Sequence, residues 1–309
     1  MEKVIVTGGA GFIGSHLAEE LVRRGYQVTI LDDLSTGKMG NIKKLLSKDN
    51  VQFIQGSVTN SSLLKELFHG AIYVFHQAAI PSVPRSVKDP LATNEVNITG
   101  TLNVLLAARV SKVRKIIYAS SSSVYGDTPT LPKREDMVPS PQSPYAASKL
   151  AGEYYCRVFQ EVYGLATVCL RYFNVYGPKQ NPDSQYAAVI PRFLRWASEG
   201  SPLIIYGDGE QTRDFTFIAD AVAANILAAE SNASGVFNIG RGKSITINEL
   251  ARLVINLTGN NVESVHQEPR EGDIRHSLAD ISKAGTFGYE PRYNLEEGLE
   301  ETRGFHHEI

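Results

Sequence analysis

Cysteine is nearly absent from this chain: Cys156 and Cys169 are the only two in 309 residues. Two thiols cannot build a disulfide framework, so buried apolar surface must hold the fold. No His or Cys cluster has the spacing of metal ligands, and no metal is expected. His306-His307 falls in a terminal stretch that reads as a disordered tail rather than a metal site. No apolar run reaches 18 residues, the least that would cross a bilayer. No charged n-region precedes an apolar h-region at the start, so neither a signal peptide nor a membrane span is expected. Blocks of one charge are also missing. With 31 basic and 33 acidic residues the formal charge is −2, which argues against nucleic-acid binding. There is no internal repeat and no low-complexity tract. What remains is 42% apolar and 21% charged, a soluble, cytoplasmic composition with material for one large or two coupled globular units.

The informative residues begin at position 4. Val4-Ile5-Val6-Thr7 is a β-branched run of the kind that forms a buried parallel strand. Gly8-Gly9-Ala10-Gly11-Phe12-Ile13-Gly14 follows, and then a helical pattern with Ile13, Leu17, Leu21 and Val22 on one side. In such a turn Gly8 permits the sharp change from strand to helix. Gly11 lets backbone approach a pyrophosphate, and Gly14 lets the helix sit close to the sheet. The helix N-terminus then offers free N–H groups and a positive dipole end to phosphate. A second strand over 27–31 ends in Asp32, placed to hydrogen-bond an adenosine ribose. No cation follows until Lys38, so a 2′-phosphate would lack a counter-charge, and the pattern favours NAD over NADP.

Strand signals at 3–7, 27–31, 51–55, 72–75, 115–119 and 166–170 alternate with helix signals at 13–24, 61–68, 93–110 and 144–163. This alternation predicts an α/β fold, a doubly wound parallel sheet of the Rossmann type. Later prolines loosen the pattern, although 187–199, 219–231 and 246–257 still read as helices and 235–239 as a strand. The expected division is an NAD-binding part over 1–173, joined by 214–240, and a smaller substrate region over 174–309.

Tyr145 and Lys149 are four residues apart in the helix expected at 144–163, so they share one face. A tyrosine is a poor base, with a pKa of about 10. An ammonium one turn away is expected to draw that value toward neutral and make Tyr145 a base for a sugar hydroxyl. YxxxK arises in many helices by chance. Here a serine cluster, Ser120-Ser121-Ser122-Ser123, also stands at the carboxyl end of the strand at 115–119, facing the ligand crevice of such a sheet.

With these motifs the chain resembles the extended short-chain dehydrogenase/reductase superfamily over essentially its whole length. The likeness is carried by TGGAGFIGSH at 7–16, HQAA at 76–79, SSSSVYGD at 120–127, SPYAASK at 143–149, LRYFNVYGP at 170–178, GDGEQTRDF at 207–215 and REGDIRHSLADISKA at 270–284. Within it the chain is most similar to UDP-hexose 4-epimerases, above all the branch acting on N-acetylated sugars. The resemblance implies Ser121, Tyr145 and Lys149 as catalytic residues. It implies an NAD site of Gly8, Gly11, Phe12, Ile13, Gly14, Asp32, Ser57, Val58, Gln77, Ala78 and Ala79 with Tyr145 and Lys149. It implies a UDP-sugar site of Ser122, Ser123, Asn174, Gln180, Ala188, Arg213, Arg270, Asp273 and Ser277, with Arg275 as another candidate for the diphosphate. The implied chemistry oxidises C4, lets the 4-keto sugar swing, and reduces it from the other face. Related dehydratases carry Asp-Glu, and related decarboxylases Glu, where this chain has Ser122 and Ser123, so the chemistry is expected to stop at C4.

Ser277 stands where relatives restricted to plain hexoses carry a bulky tyrosine, and the resemblance implies that the small serine leaves room for an N-acetyl group. Gln180 and Ala188 match the same branch. UDP-glucuronate epimerases resemble the chain too but carry an arginine on the loop where Ala187-Ala188-Val189 stands, although Arg192 lies close by. That acidic sugar and a net oxidoreductase of the same fold are the alternatives, and a non-catalytic dinucleotide-binding module is a third. One departure is Gly56-Ser57-Val58, where relatives place Asp at position 57 against the adenine. The resemblance also implies a homodimer pairing the helices at 93–110 and 144–163. Leu102, Val104, Leu105 and Leu106 could serve that seam or face the sheet.

Overall fold

Residues of a strand alternate between two faces, and the central strands here are apolar on both. Seven of them form one sheet: β1 (Lys3–Thr7), β2 (Gln27–Asp32), β3 (Val51–Gln55), β4 (Ala71–His76), β5 (Lys115–Ser121), β6 (Ala166–Tyr172) and β7 (Gly235–Ile239). The computed structural model describes residues 1–182, 188–269 and 274–307. Its sheet runs β7-β6-β5-β4-β1-β2-β3, with every neighbouring pair parallel. Val4, Val6, Ile117, Ala119, Val168 and Leu170 lie on one face, and Ile5, Ile116, Tyr118 and Cys169 on the other. Strands buried on both sides need helices on both sides.

The helices of seven residues or more are α1 (Phe12–Arg23), α2 (Ser61–Leu67), α3 (Gly100–Val110), α4 (Pro144–Tyr163), α5 (Val189–Ser198), α6 (Ile218–Glu230), α7 (Ile247–Thr258) and α8 (Leu295–His307). Leu17 and Leu21 of α1 and Val222 and Ile226 of α6 cover the first face. Leu64 of α2, Val104 and Leu105 of α3 and Phe159 of α4 cover the second. Each such side chain, fully buried, contributes roughly 1.5–3 kcal/mol, so these two layers hold the sheet. Val104 and Leu105 therefore face inward, while Leu106 is 39% exposed.

The expected doubly wound sheet is present, and its strands fall within two residues of the sequence pattern. β7 closes one edge beside β6. Phe193, Leu194, Leu250 and Val254 of α5 and α7 belong to the same contiguous core as Val4 and Val6. Three expectations need correcting. The helix expected over 93–110 begins at Pro90 and contains a π-turn, Glu95–Thr99, before α3. The second half holds short strands, such as Leu203–Tyr206, Thr212–Asp214 and Ser264–Gln267, too short to show a period. The expected disordered tail is helical in its backbone through His307. Among the described residues no helix is long and apolar enough to cross a membrane.

Candidate active site

The sheet's order reverses between β1 and β4, and ligands of such sheets bind at the carboxyl ends of strands beside that point. The turn after β1 is built by close approach. Gly8 adopts φ +68, and a Cβ on it would lie 2.6 Å from Ala78 N. A Cβ on Gly14 would lie 2.2 Å from Gly8 O. Gly8 and Gly14 thus let the loop after β4 and the first turn of α1 meet the same bend. Gly11 caps α1 with extended backbone, and no side chain caps that end. The first-turn N–H groups of Phe12, Ile13 and Gly14 have no carbonyl within the helix to bond. Asp32 ends β2, 7% exposed. Its carboxylate accepts from Ala10 N at 2.9 Å and Leu34 N at 2.8 Å. Burial raises its proton affinity and these two bonds oppose the rise.

Ser57 and Val58 follow β3. The Ser57 hydroxyl accepts from Thr59 N at 3.2 Å and Thr59 Oγ1 at 2.9 Å, a local turn. Val58 is buried, and its carbonyl accepts from Asn103. Gln77, Ala78 and Ala79 follow β4. The Gln77 amide is turned into a buried network with Tyr172 and Asn225.

Ser121 ends β5, and Tyr145 and Lys149 lie in the first two turns of α4. That helix begins as its sequence requires: Ser143 Oγ accepts from Ala146 N at 3.1 Å and Pro144 follows. Tyr145 N donates to Ser86 Oγ at 3.0 Å. Lys149 Nζ donates to Ala119 O at 2.8 Å and sits 5.9 Å from the centre of the Tyr145 ring. Gly152 makes this docking close, since a Cβ there would lie 2.2 Å from Tyr118 Oη.

The proton affinities correct the sequence expectation for Tyr145. Burial pushes its phenol above the ordinary value, and only the Ser121 hydroxyl acts the other way. The Lys149 ammonium does not draw it toward neutral, because Lys149 loses its own charge before the phenol ionises. Desolvation lowers that ammonium to about 8, opposed by Cys156 and Glu153. A low-dielectric site disfavours charge on both partners.

Sequence reasoning did not single out His76, Asn97 or Thr101, which join the two halves of the site. Thr101 Oγ1 gives its proton to Asn97 O at 2.6 Å, so it accepts from His76 Nε2 at 3.0 Å. His76 Nδ1 then accepts from Thr7 Oγ1 at 2.7 Å, and Thr7 Oγ1 accepts from Ala78 N at 3.3 Å. These bonds fix His76 as the neutral Nε2–H tautomer, and burial, aided by Lys149, lowers it to about 3. Asn97 Nδ2 continues to Ser148 Oγ at 3.0 Å, beside Lys149. The available signal was the His of HQAA followed by Asn97 and Thr101 on one helix.

On the substrate side, Asn174 adopts φ +34 and its Nδ2 donates to Asp214 O at 3.1 Å. Arg213 lies on the strand Thr212–Asp214, its Nη1 on Thr212 O at 2.9 Å. Ser277 N donates to Thr212 O at 3.1 Å, and Ser277 is 8% exposed. Asn174, Arg213 and Ser277 therefore gather around one short strand. Asp214 anchors it, accepting from Arg241 N, Gly242 N and Ala279 N, while burial raises its carboxyl to about 6. Gln180 Nε2 donates to Val175 O at 3.2 Å, and its Oε1 is buried without a partner. Ser122 and Ser123 form the 3-10 turn after β5, where Ser123 N donates to Ser121 Oγ and Ser123 Oγ is buried without a partner. Ala188 is exposed at the start of α5. Arg275 forms a two-bond pair with Asp208, 2.8 Å each. Arg192 lies over Trp196, 5.0 Å from the ring centre. Arg270 and Asp273 lie outside the described residues.

The model of the NAD dependent epimerase/dehydratase family matches residues 4–240. The chain belongs to that family. It is 38% identical to a putative UDP-glucose 4-epimerase of Methanocaldococcus jannaschii, over 96% of this chain and 95% of that one. It is 37% identical to a UDP-glucuronate 4-epimerase of Thermodesulfobacterium geofontis, over 96% and 94%. Among solved structures, the UDP-N-acetylglucosamine 4-epimerase of Methanobrevibacter ruminantium, in complex with UDP-N-acetylmuramic acid, superposes with a TM-score of 0.97. That protein is 42% identical, with 99% and 98% of the two chains covered.

Proposed function

We propose that the protein is an NAD-dependent UDP-sugar 4-epimerase. It interconverts UDP-N-acetylglucosamine and UDP-N-acetylgalactosamine, and also UDP-glucose and UDP-galactose. The observation that carries this reading is the meeting of Ser121, Tyr145 and Lys149 at the carboxyl end of β5, two strands from the Gly8–Gly14 turn. The turn fits a dinucleotide. A Cβ on Gly11 would meet only Gly8 O, at 3.1 Å, so that glycine is open on its other side. Gly8, Gly11, Phe12, Ile13 and Gly14 would hold the pyrophosphate, Asp32 the adenosine ribose, and Ser57, Val58 and Gln77 to Ala79 the remainder. Bound there, NAD supplies a two-electron acceptor and donor for the sugar carbon.

Tyr145 Oη takes the C4 hydroxyl proton as that carbon becomes a ketone, and returns it afterwards. Ser121 holds the hydroxyl on the phenol, and Lys149 supplies the nearby positive charge. Arg213 and Asn174, with Arg270 and Asp273, hold the uridine diphosphate while the sugar turns. Arginine suits that task because its planar fork binds phosphate through two parallel bonds. Small Ser277, together with Gln180 and Ala188, supports the N-acetyl reading, and the stacking of Arg192 on Trp196 supports a neutral sugar over an acidic one. In this reading residues 1–173 and 214–240 serve NAD, and 174–309 serve the UDP-sugar.

The test is to incubate the purified protein, first without added NAD, with UDP-N-acetylglucosamine, UDP-glucose and UDP-glucuronate separately, and to follow 4-epimers by proton NMR. Conversion of the N-acetyl sugar is the expected result. Conversion of the glucuronate alone would overturn the specificity. Free NADH as a stoichiometric product would replace epimerisation by net oxidation.

A further inference from the structure

We propose that Ser120, Glu153 and Arg171 form a positioning clamp for the proton-transfer site, seating Lys149 on β5 and fixing a carboxylate one helical turn from it. For its catalytic consequence the proposal rests on the epimerase reading. Glu153 stands one turn beyond Lys149 on α4, and Ser120 precedes Ser121 on β5. Ser120 and Arg171 are register partners across β5 and β6. Glu153 Oε1 accepts from Ser120 Oγ at 2.5 Å and from Arg171 Nε at 2.8 Å, and Oε2 accepts from Arg171 Nη2 at 2.7 Å. Both charged side chains are only 3% exposed.

Stability alone accounts poorly for this pair. Desolvating two charges costs about as much as their attraction returns, and a packed apolar pair of the same volume often serves as well. The pair's position is more telling. Lys149 grips Ala119 O, and Glu153 grips Ser120, so one face of α4 holds two consecutive residues of β5 immediately before Ser121. A small displacement of α4 along β5 would part Ser121 from Tyr145.

Charge follows the same geometry. The groups facing Lys149 are Tyr145, Glu153 and Cys156 on α4, Tyr118 on β5, whose ring centre is 5.1 Å from Nζ, and His76 on β4. His76 is neutral, and burial holds both tyrosines protonated. Glu153, paired with Arg171, carries the negative charge in this set. After Cys156, it opposes the desolvation that draws the Lys149 ammonium down.

Lysine labelled with ¹³C at Cε reports the Lys149 charge directly by NMR titration of the purified protein, with Lys149→Arg assigning the signal. The wild-type midpoint is expected near 8. Glu153→Gln is expected to lower it by about half a pH unit or more. The double variant Glu153→Gln/Arg171→Gln leaves no unpaired buried charge to threaten folding, and its midpoint is expected to move in the same direction. Midpoints equal to wild type in the Gln variants would overturn the charge role. Ser120→Ala keeps the ion pair and tests the seating: kcat reduced about five-fold or more at unchanged KM is expected, and wild-type kcat would overturn it. The titration needs no substrate, so it stands apart from the epimerase reading, which fails separately if the wild type converts no UDP-sugar.

Discussion

A tyrosine that works as a base near neutral pH must be helped to lose its proton, and burial hinders Tyr145 instead. Lys149, lowered to about 8, is the first of the two groups to lose its proton, because burial holds the Tyr145 phenol above its ordinary value. Below that pH both groups are protonated, and above it one base equivalent is present. The expected kcat/KM therefore rises with pH through about 8 and then levels. A profile flat from pH 6 to pH 9 would contradict it. Replacing Tyr145 by Phe removes the proton acceptor and should cut turnover by about 10²–10⁴-fold, while calorimetry still registers UDP-sugar binding. Ser277→Tyr should suppress turnover of N-acetylated substrates and spare UDP-glucose, and equal loss on both would remove Ser277 as the gatekeeper. Tyr145, Lys149 and Ser277 were legible because local motifs mark their positions. The direction of the Tyr145 shift was not, because it is set by burial in the folded chain rather than by its helical neighbour Lys149.

At the scale of elements, α4 was readable end to end. Ser143-Pro144 starts it and Gly164 with φ +69 stops it. Its glycine is the less obvious part. Gly152 lies on the face that meets Tyr118, and Gly152→Ala should cost about 1–3 kcal/mol by overpacking, measurable by urea unfolding. Gly14 plays the same part for α1, where a Cβ would lie 2.2 Å from Gly8 O, and Gly14→Val should lower both stability in urea unfolding and NAD retention, measured from the absorbance of the purified protein. The helix over 93–110 was found, but its π-turn was hidden. Asn97 looks like any polar helical residue until the bonds to Ile80 and Ser148 draw it inward.

For the molecule as a whole, the central sheet was legible because two-sided apolar strands leave few other arrangements. The substrate region was not, because its strands are two to four residues long and held by distant partners. We propose a homodimer through the outer sides of α3 and α4, where Leu106 and Val110, and Tyr154, Val158 and Val162, repeat every fourth residue and remain exposed. Light scattering at micromolar concentration should give twice the chain mass, and Val110→Lys/Val162→Lys should give the monomer. The common direction of all seven strands has one more consequence. The residues assigned to chemistry along the sheet follow strand ends, so they gather at one rim, and the rim where strands begin carries none of them. Met1, 86% exposed, belongs to that quiet rim. A molecule tethered to a bead through Met1 would hold its working side toward the solution, and orientation of attachment alone would then govern how much of an immobilised sample turns over.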